Sequence, residues 1–242
     1  MNNINCEKQA DCKKQSEQSR KTGRIVLLRH GQTPWSVSGQ HTGRTNIPLT
    51  DTGCEQAKAA GERLRKAFPN GFARVCVSPL RRAQQTAQLA GFHGETLDDM
   101  AEWDYGQAEG LTRQYVAEHL GEDDWVVWRQ DPASLPETLT ESLGSERDEV
   151  LPNGETVHIR AGRGESLEEI AARADNVIAE VKQNIEKGED VLLVAHGHFL
   201  QILTAQWIGV EPSFAGSWLM NTAQFAILDY HNGRPVITKW NA

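Results

Sequence analysis

Two uninterrupted apolar runs constrain this chain more than any other feature. Ile25-Val-Leu-Leu28 and Val191-Leu-Leu-Val-Ala195 are each followed closely by a histidine and a glycine. Such a run is the pattern of a strand covered on both faces, as in a parallel sheet flanked by helices. Helical signals lie between and after the runs. Thr52-Gly-Cys-Glu55 has capping-box spacing ahead of an Ala-, Glu- and Lys-rich stretch to about Phe68, after a polar loop that reaches Leu49. Arg74-Val-Cys-Val77 reads as a further strand and Arg81 to about Ala90 as a second helix. Ser166-Leu-Glu-Glu169 repeats the capping pattern, and Leu167, Ile170, Ala174, Val177, Ile178, Val181 and Ile185 then fall at helical spacing up to Lys187-Gly188. His198 to Ile208 reads as another helix. Residues 223–230 and 235–240 read as a hairpin turning at Asn232-Gly233. Strands alternating with helices predict an α/β fold. It would be a three-layer α/β/α sandwich with a mostly parallel sheet and an antiparallel edge hairpin.

The chain has 242 residues, 38% of them hydrophobic, enough to bury a core. Residues 1–23 are polar and charged, and are expected to form a disordered tail before a single domain at 24–242. About 129–164, rich in Pro, Glu, Gly and Arg and poor in periodicity, is expected to be an insertion over the active-site face. The first 23 residues lack the apolar core of a secretory signal. No apolar run approaches the ~20 residues that cross a membrane. A net charge of −8 argues against a nucleic-acid partner but not against a small phosphorylated one, since a local arginine cluster can dominate inside a cleft. Cys6, Cys12, Cys54 and Cys76 form no CxxC pair, so neither a disulfide framework nor a zinc site is expected, and a reducing cytoplasm fits best. The sequence leaves oligomeric state open, a homo-oligomer included.

In open α/β sheets ligands bind beyond the carboxyl ends of the strands. Here two such ends carry Arg29-His30-Gly31 and His196-Gly197, and a third, at Ser78, leads into Arg81-Arg82. Three strand ends can therefore gather two imidazoles and at least two guanidiniums. Arg81, one residue from Arg82 on a helix, would point elsewhere and form a surface ion pair. His198, in an HxH pair, is assigned packing or hydrogen bonding rather than a metal. His41 is either a cleft residue or solvent-exposed, and Trp35 is the tryptophan placed near substrate.

With these residues in view, the chain resembles the histidine phosphatase superfamily, which includes the cofactor-dependent phosphoglycerate mutases. Arg29-His30-Gly31 is similar to the signature that opens that fold. Gln32-Thr33-Pro-Trp-Ser36, Thr42-Gly43 and Pro48-Leu49-Thr50 resemble its phosphate loop. Ser78 through Arg82 to Thr86 resembles the segment bearing the second phosphate-binding arginine. Glu102-Trp-Asp-Tyr105-Gly106 with Glu109-Gly110 resembles the acid-bearing segment. Gly164-Glu165-Ser166 and Ala195-His196-Gly197 complete the order. The resemblance implies a phosphoglycerate mutase-like fold over about Ile25 to Leu228 and chemistry through a phosphohistidine, with no metal and no cofactor.

The roles follow from chemistry as well. His30 attacks phosphorus through an unprotonated nitrogen, while Arg29, Arg82 and His196 neutralise the phosphoryl oxygens. Glu102 supplies the proton to the leaving oxygen, because a carboxyl beside a dianionic phosphate holds its proton more readily. Asp104 and Glu109 are the alternative acids. Gln32, Thr33, Ser36, Thr42, Gly43, Tyr105 and Gly197 are the expected substrate-binding residues. Mutase-type members usually carry Asn where this chain has Ser36, and a basic Arg-Arg-Tyr-like segment; here Arg129, Arg147, Arg160 and Arg163 stand singly. The motif detail is closer to sedoheptulose-1,7-bisphosphatase-like sugar phosphatases. The expected function is hydrolysis of a small phosphorylated metabolite, with a sugar bisphosphate as first substrate class. A phosphoglycerate mutase and a non-catalytic phospho-ligand binding protein are the alternatives.

Overall fold

The structure is a computed structural model that describes residues 22–242. The expectation of a disordered tail, and Cys6 and Cys12 with it, lies outside the described residues. A six-stranded sheet runs in the order β3 (Glu95–Thr96), β2 (Arg74–Val77), β6 (Val191–Ala195), β1 (Ile25–Arg29), β7 (Phe225–His231), β8 (Arg234–Lys239). The pairs β3–β2, β2–β6 and β6–β1 are parallel, whereas β1–β7 and β7–β8 are antiparallel. This is the mostly parallel sheet with an antiparallel edge hairpin that the alternation of elements predicts.

The two apolar runs occupy the centre of the sheet. Residues 25–28 and 191–195 are all fully buried. Ile25 and Leu27 pack on one side with α5 (Leu167–Glu186) and α6 (Gly197–Ile208); Val26 and Leu28 pack on the other with α2 (Asp51–Ala67) and α3 (Arg81–Leu89). Alternate residues of one strand thus serve both layers, which is why these strands have no polar face. α5 begins with the capping box foreseen at Ser166 and Glu169, and buries Ile170, Ala174, Val177, Val181 and Ile185. α2 begins two residues earlier than its sequence pattern suggests. Its cap is Thr50, whose hydroxyl accepts from the Gly53 amide at 3.0 Å, rather than Thr52.

The polar segment after β1 is not all loop, because Pro34–Ser38 form α1. Thr33 caps it, with Ser36 closing a capping box and Pro34 in the first turn, an arrangement that favours a helix start. Within 129–164 the chain forms an antiparallel hairpin, β4 (Glu146–Val150) with β5 (Thr156–Arg160). It docks on α1 through a separate cluster of Trp35, Ile47, Leu151, Val157 and Ile159. The remaining helix, α4 (Arg113–Leu120), is capped by Thr112. Among the described residues no helix is long and apolar enough to cross a membrane.

Candidate active site

Strand register assembles the site. Arg29 on β1 lies opposite Ala195 on β6, and Val77 on β2 lies opposite Val194. The next residue on each strand, His30, His196 and Ser78, therefore emerges at the same edge. The His30 and His196 rings are 5.2 Å apart, centroid to centroid. Gly31 is required at its position because a Cβ there would sit 2.4 Å from the Gly53 carbonyl oxygen on α2.

The state of each imidazole is set by its partners. His30 Nδ1 lies 2.7 Å from the Gly31 carbonyl, which can only accept, so Nδ1 carries the proton and Nε2 keeps its lone pair. Burial holds the His30 pKa well below its ordinary value, and the charges of Arg82 and then Arg29 add to the effect; the Gly31 bond works weakly the other way. His196 Nδ1 accepts from Arg82 Nε at 3.1 Å, so Nε2 carries the proton and donates to Ser78 Oγ at 2.6 Å. Burial, then Arg82, depress its pKa too. Both rings are neutral at physiological pH.

One buried and one half-buried cation surround them. Arg82 is fully enclosed and donates to the carbonyls of Thr42, Gly43 and Thr45 at 2.9–3.1 Å. Desolvation lowers its pKa to about 10, against the opposing pull of Glu102 and Glu109. Arg29 donates to the Met220 carbonyl, while its buried Nε has no partner among the described residues. A half-buried guanidinium with an enclosed, unspent donor beside a cleft suits an anion. Desolvation lowers its pKa as well. Gly197 leaves room for it, since a Cβ there would lie 3.2 Å from the Arg29 guanidinium carbon.

Glu102 faces the same cleft and is buried. Its Oε1 accepts from the amides of Trp103 (3.0 Å) and Phe199 (2.8 Å), and its Oε2 from that of His198 (3.1 Å). Two of those amides belong to the first turn of α6, whose N-terminal N–H groups lack helical acceptors. The loop that bears Glu102 is held from behind. Arg173 on α5 donates to the Ala101 carbonyl at 2.9 Å and pairs with Glu165, which in turn accepts from the Asp104 amide.

The cleft measures about 290 Å³ and is lined by Arg29, His30, Thr33, Ser36, Thr42, Glu102, Tyr105 and Gly197 from the sequence-derived set. Gln32 and Gly43 do not line the cleft. Gln32 turns toward α2, its amide oxygen bonded by Thr50 Oγ1 at 2.9 Å and its N–H by Gln56. Gly43 is buried behind the site, with its N–H taken by both oxygens of Glu109. Arg82 and His196 form the floor beneath His30 rather than the cleft wall. Glu109 is spent on Gly43 and Thr45, and Asp104 on the Gly106 amide. Arg81 makes the expected ion pair, with Glu155. His41 lines the cleft instead of facing solvent. Trp35 lies against the cleft too, its indole N–H donating to Glu149 at 2.9 Å. Sequence reasoning missed Gln201, Leu219, Met220 and Asn221, which close the far wall. The last three sit in a loop with no motif, so only the fold shows them. A larger hollow of about 530 Å³ lies beside 137–145 and contains Glu137, Glu141 and Arg163 but none of these groups.

The family model described as histidine phosphatase superfamily (branch 1) matches residues 25–157 and 140–242. An acid phosphatase of Mycobacterium tuberculosis is 35% identical over 87% of this chain and 88% of its own. Sedoheptulose 1,7-bisphosphatase of Saccharomyces cerevisiae is 31% identical over 78% of this chain and 69% of its own. A 2,3-bisphosphoglycerate-dependent phosphoglycerate mutase of Corynebacterium diphtheriae is also 31% identical, over 75% of each chain. The solved structure of a functionally characterised Mycobacterium tuberculosis open reading frame aligns with a TM-score of 0.73 at 32% identity, covering 90% of this chain and 97% of that one. With its motifs, fold and relatives in agreement, the chain belongs to the histidine phosphatase superfamily (branch 1), as an enzyme of the phosphoric monoester hydrolase type.

Proposed function

We propose that the protein hydrolyses a small phosphorylated metabolite through a phosphohistidine on His30, with a sugar bisphosphate as the first substrate class to test. The observation that carries this reading is the Nδ1–H···O=C bond from His30 to Gly31, which leaves an unprotonated Nε2 beside the cations of Arg29 and Arg82. In the first step Nε2 attacks phosphorus, the P–O ester bond breaks, and Glu102 gives its proton to the leaving oxygen. Arg29, with its unspent Nε, and Arg82 stabilise the charge that spreads over the equatorial oxygens. In the second step water, losing a proton to the Glu102 carboxylate, attacks the phosphohistidine, and inorganic phosphate leaves with His30 restored.

The mutase reading shares the first step and differs in the second, where the phosphoryl group must return to substrate instead of water. Support for hydrolysis comes from Ser36 in place of the mutase Asn, and from the acid phosphatase relative. The test is phosphate release from a panel of sugar bisphosphates, sugar monophosphates and 3-phosphoglycerate, in the presence of a chelator. Wild type should release phosphate, and His30→Ala should lose at least about a thousandfold in kcat. Formation of 2-phosphoglycerate without net phosphate would favour the mutase. Undiminished turnover by His30→Ala would refute the assignment.

A further inference from the structure

Two neutral histidines line the cleft and take no part in the steps above. His41 Nδ1 lies 2.9 Å from the Leu111 carbonyl, which can only accept. Its Nδ1 therefore carries the proton, and Nε2 is left as a lone-pair acceptor. His198 Nδ1 lies 2.5 Å from the Tyr105 hydroxyl. Tyr105 is buried, and His198 is the one partner of its hydroxyl among the described residues, so the phenol donates. That places the His198 proton on Nε2, as a donor. No protein group among the described residues bonds either Nε2.

The rings are held in an aromatic nest. His41 packs edge-on against Tyr105 and Trp125, each at 4.9 Å, and His198 against Trp128 at 4.9 Å and Tyr105 at 5.8 Å. Burial lowers the His41 pKa to about 4 and that of His198 to about 3, so neither charges near neutral pH. The rest of the wall is uncharged and polar at Ser36, Gln40, Gln201 and Asn221. Among the described residues Arg29 is the one positively charged side chain lining the cleft. It is matched by the phosphoryl group itself. A carboxylate on a carbon next to the phosphate ester would meet the His41 lone pair with no cation of its own, an uncompensated desolvation.

We infer that His41 and His198 form a leaving-group subsite in which one ring accepts a hydrogen bond from a substrate hydroxyl and the other donates to one. The carbons next to the transferred phosphoryl then carry uncharged hydroxyls, as in a polyol or sugar ester, and not a carboxylate. A hydroxyl both donates and accepts, so a neighbouring pair satisfies both nitrogens; a carboxylate only accepts and leaves the His41 lone pair opposed. Sites built to bond a substrate hydroxyl reject analogues that lack it far more strongly than apolar pockets reject a methylene.

This inference rests on the phosphatase reading, and the experiment separates the two. Phosphate release is measured for glycerol 3-phosphate, for 3-phosphoglycerate, which replaces its terminal hydroxymethyl group by a carboxylate, and for 4-nitrophenyl phosphate, which offers no hydroxyl. Wild type should favour glycerol 3-phosphate over 3-phosphoglycerate at least tenfold in kcat/KM. His41→Asn and His198→Asn place an amide where Nδ1 stood, preserving the buried bond while removing the unpartnered Nε2. Each should lower the ratio of kcat/KM for glycerol 3-phosphate to that for 4-nitrophenyl phosphate at least tenfold. An unchanged ratio in variants that melt like wild type overturns the subsite, and so does a wild-type preference for 3-phosphoglycerate, which needs no variant to fold. If wild type hydrolyses 4-nitrophenyl phosphate under either outcome, the phosphatase reading stands alone. Failure to release phosphate from all three and from the sugar phosphates named above overturns that reading and the subsite with it.

Discussion

An imidazole is a nucleophile only while one nitrogen is bare, and in His30 that condition is met by its own neighbour's carbonyl. The same economy holds at Gly197, whose missing side chain lets the Arg29 guanidinium lie against the first turn of α6. Gly197→Ala should push that guanidinium from the phosphoryl position and reduce kcat/KM by roughly tenfold to a hundredfold, on the scale of a lost charge-assisted contact. Steady-state kinetics, with a thermal melt to confirm folding, would check it. Both glycines after the histidines stand out in the sequence because they follow strand ends, and Arg82 stands out by its spacing from Ser78. The roles of Gln32 and Gly43 do not, because what draws them away from the cleft comes from elsewhere in the chain: Thr50 and Gln56 in one case, Glu109 in the other. The His41, Tyr105, Trp125 and His198 nest is equally hidden, being drawn from four separate segments.

Elements read well where the pattern is local and less well where docking decides. β1 and β6 are legible from their unbroken apolar runs, and the β7–β8 hairpin from Asn232-Gly233. The β4–β5 hairpin turns at Asn153-Gly154, the same dipeptide, and Thr156–Arg160 alternate exposed and buried, but Glu146–Val150 is almost wholly polar and hides the pair. α1 is short, and its signal is the capping pattern at Thr33 and Ser36 rather than an apolar stripe. These two elements support each other. Ile159 is fully buried against Trp35, and Glu149 accepts from both the Trp35 indole and the Gln40 amide. Removing the Ile159 side chain leaves a cavity at that junction, so Ile159→Ala should destabilise the protein by about 2–4 kcal/mol. A urea titration measures this directly; a change within experimental error would show that the hairpin does not bear on α1.

At the scale of the whole molecule, an acidic chain buries a cluster of histidines that stay neutral. The unfolded chain takes up protons on them near 6.5, whereas folded His41 and His198 wait until about 4 and about 3, and His30 and His196 are lowered in the same direction. The unfolded state thus binds more protons below 6.5, and stability contributed by these rings is complete above that pH and lost as it falls toward 4 and then 3. Urea midpoints should drop steadily between pH 6.5 and 4, and a flat profile would contradict the burial of these rings in their neutral form. Catalysis should be more tolerant. Because His30 resists protonation, the neutral nucleophile persists well into the acid range.

Passage of the phosphoryl group through His30 is tested most directly by rapid acid- and alkali-quench trapping with a labelled phosphate ester. The predicted result is an acid-labile, alkali-stable phosphoryl group on the peptide containing residue 30, formed within the first turnover and absent in His30→Ala. A label on another residue of the wild type, or a label undiminished in His30→Ala, would contradict it.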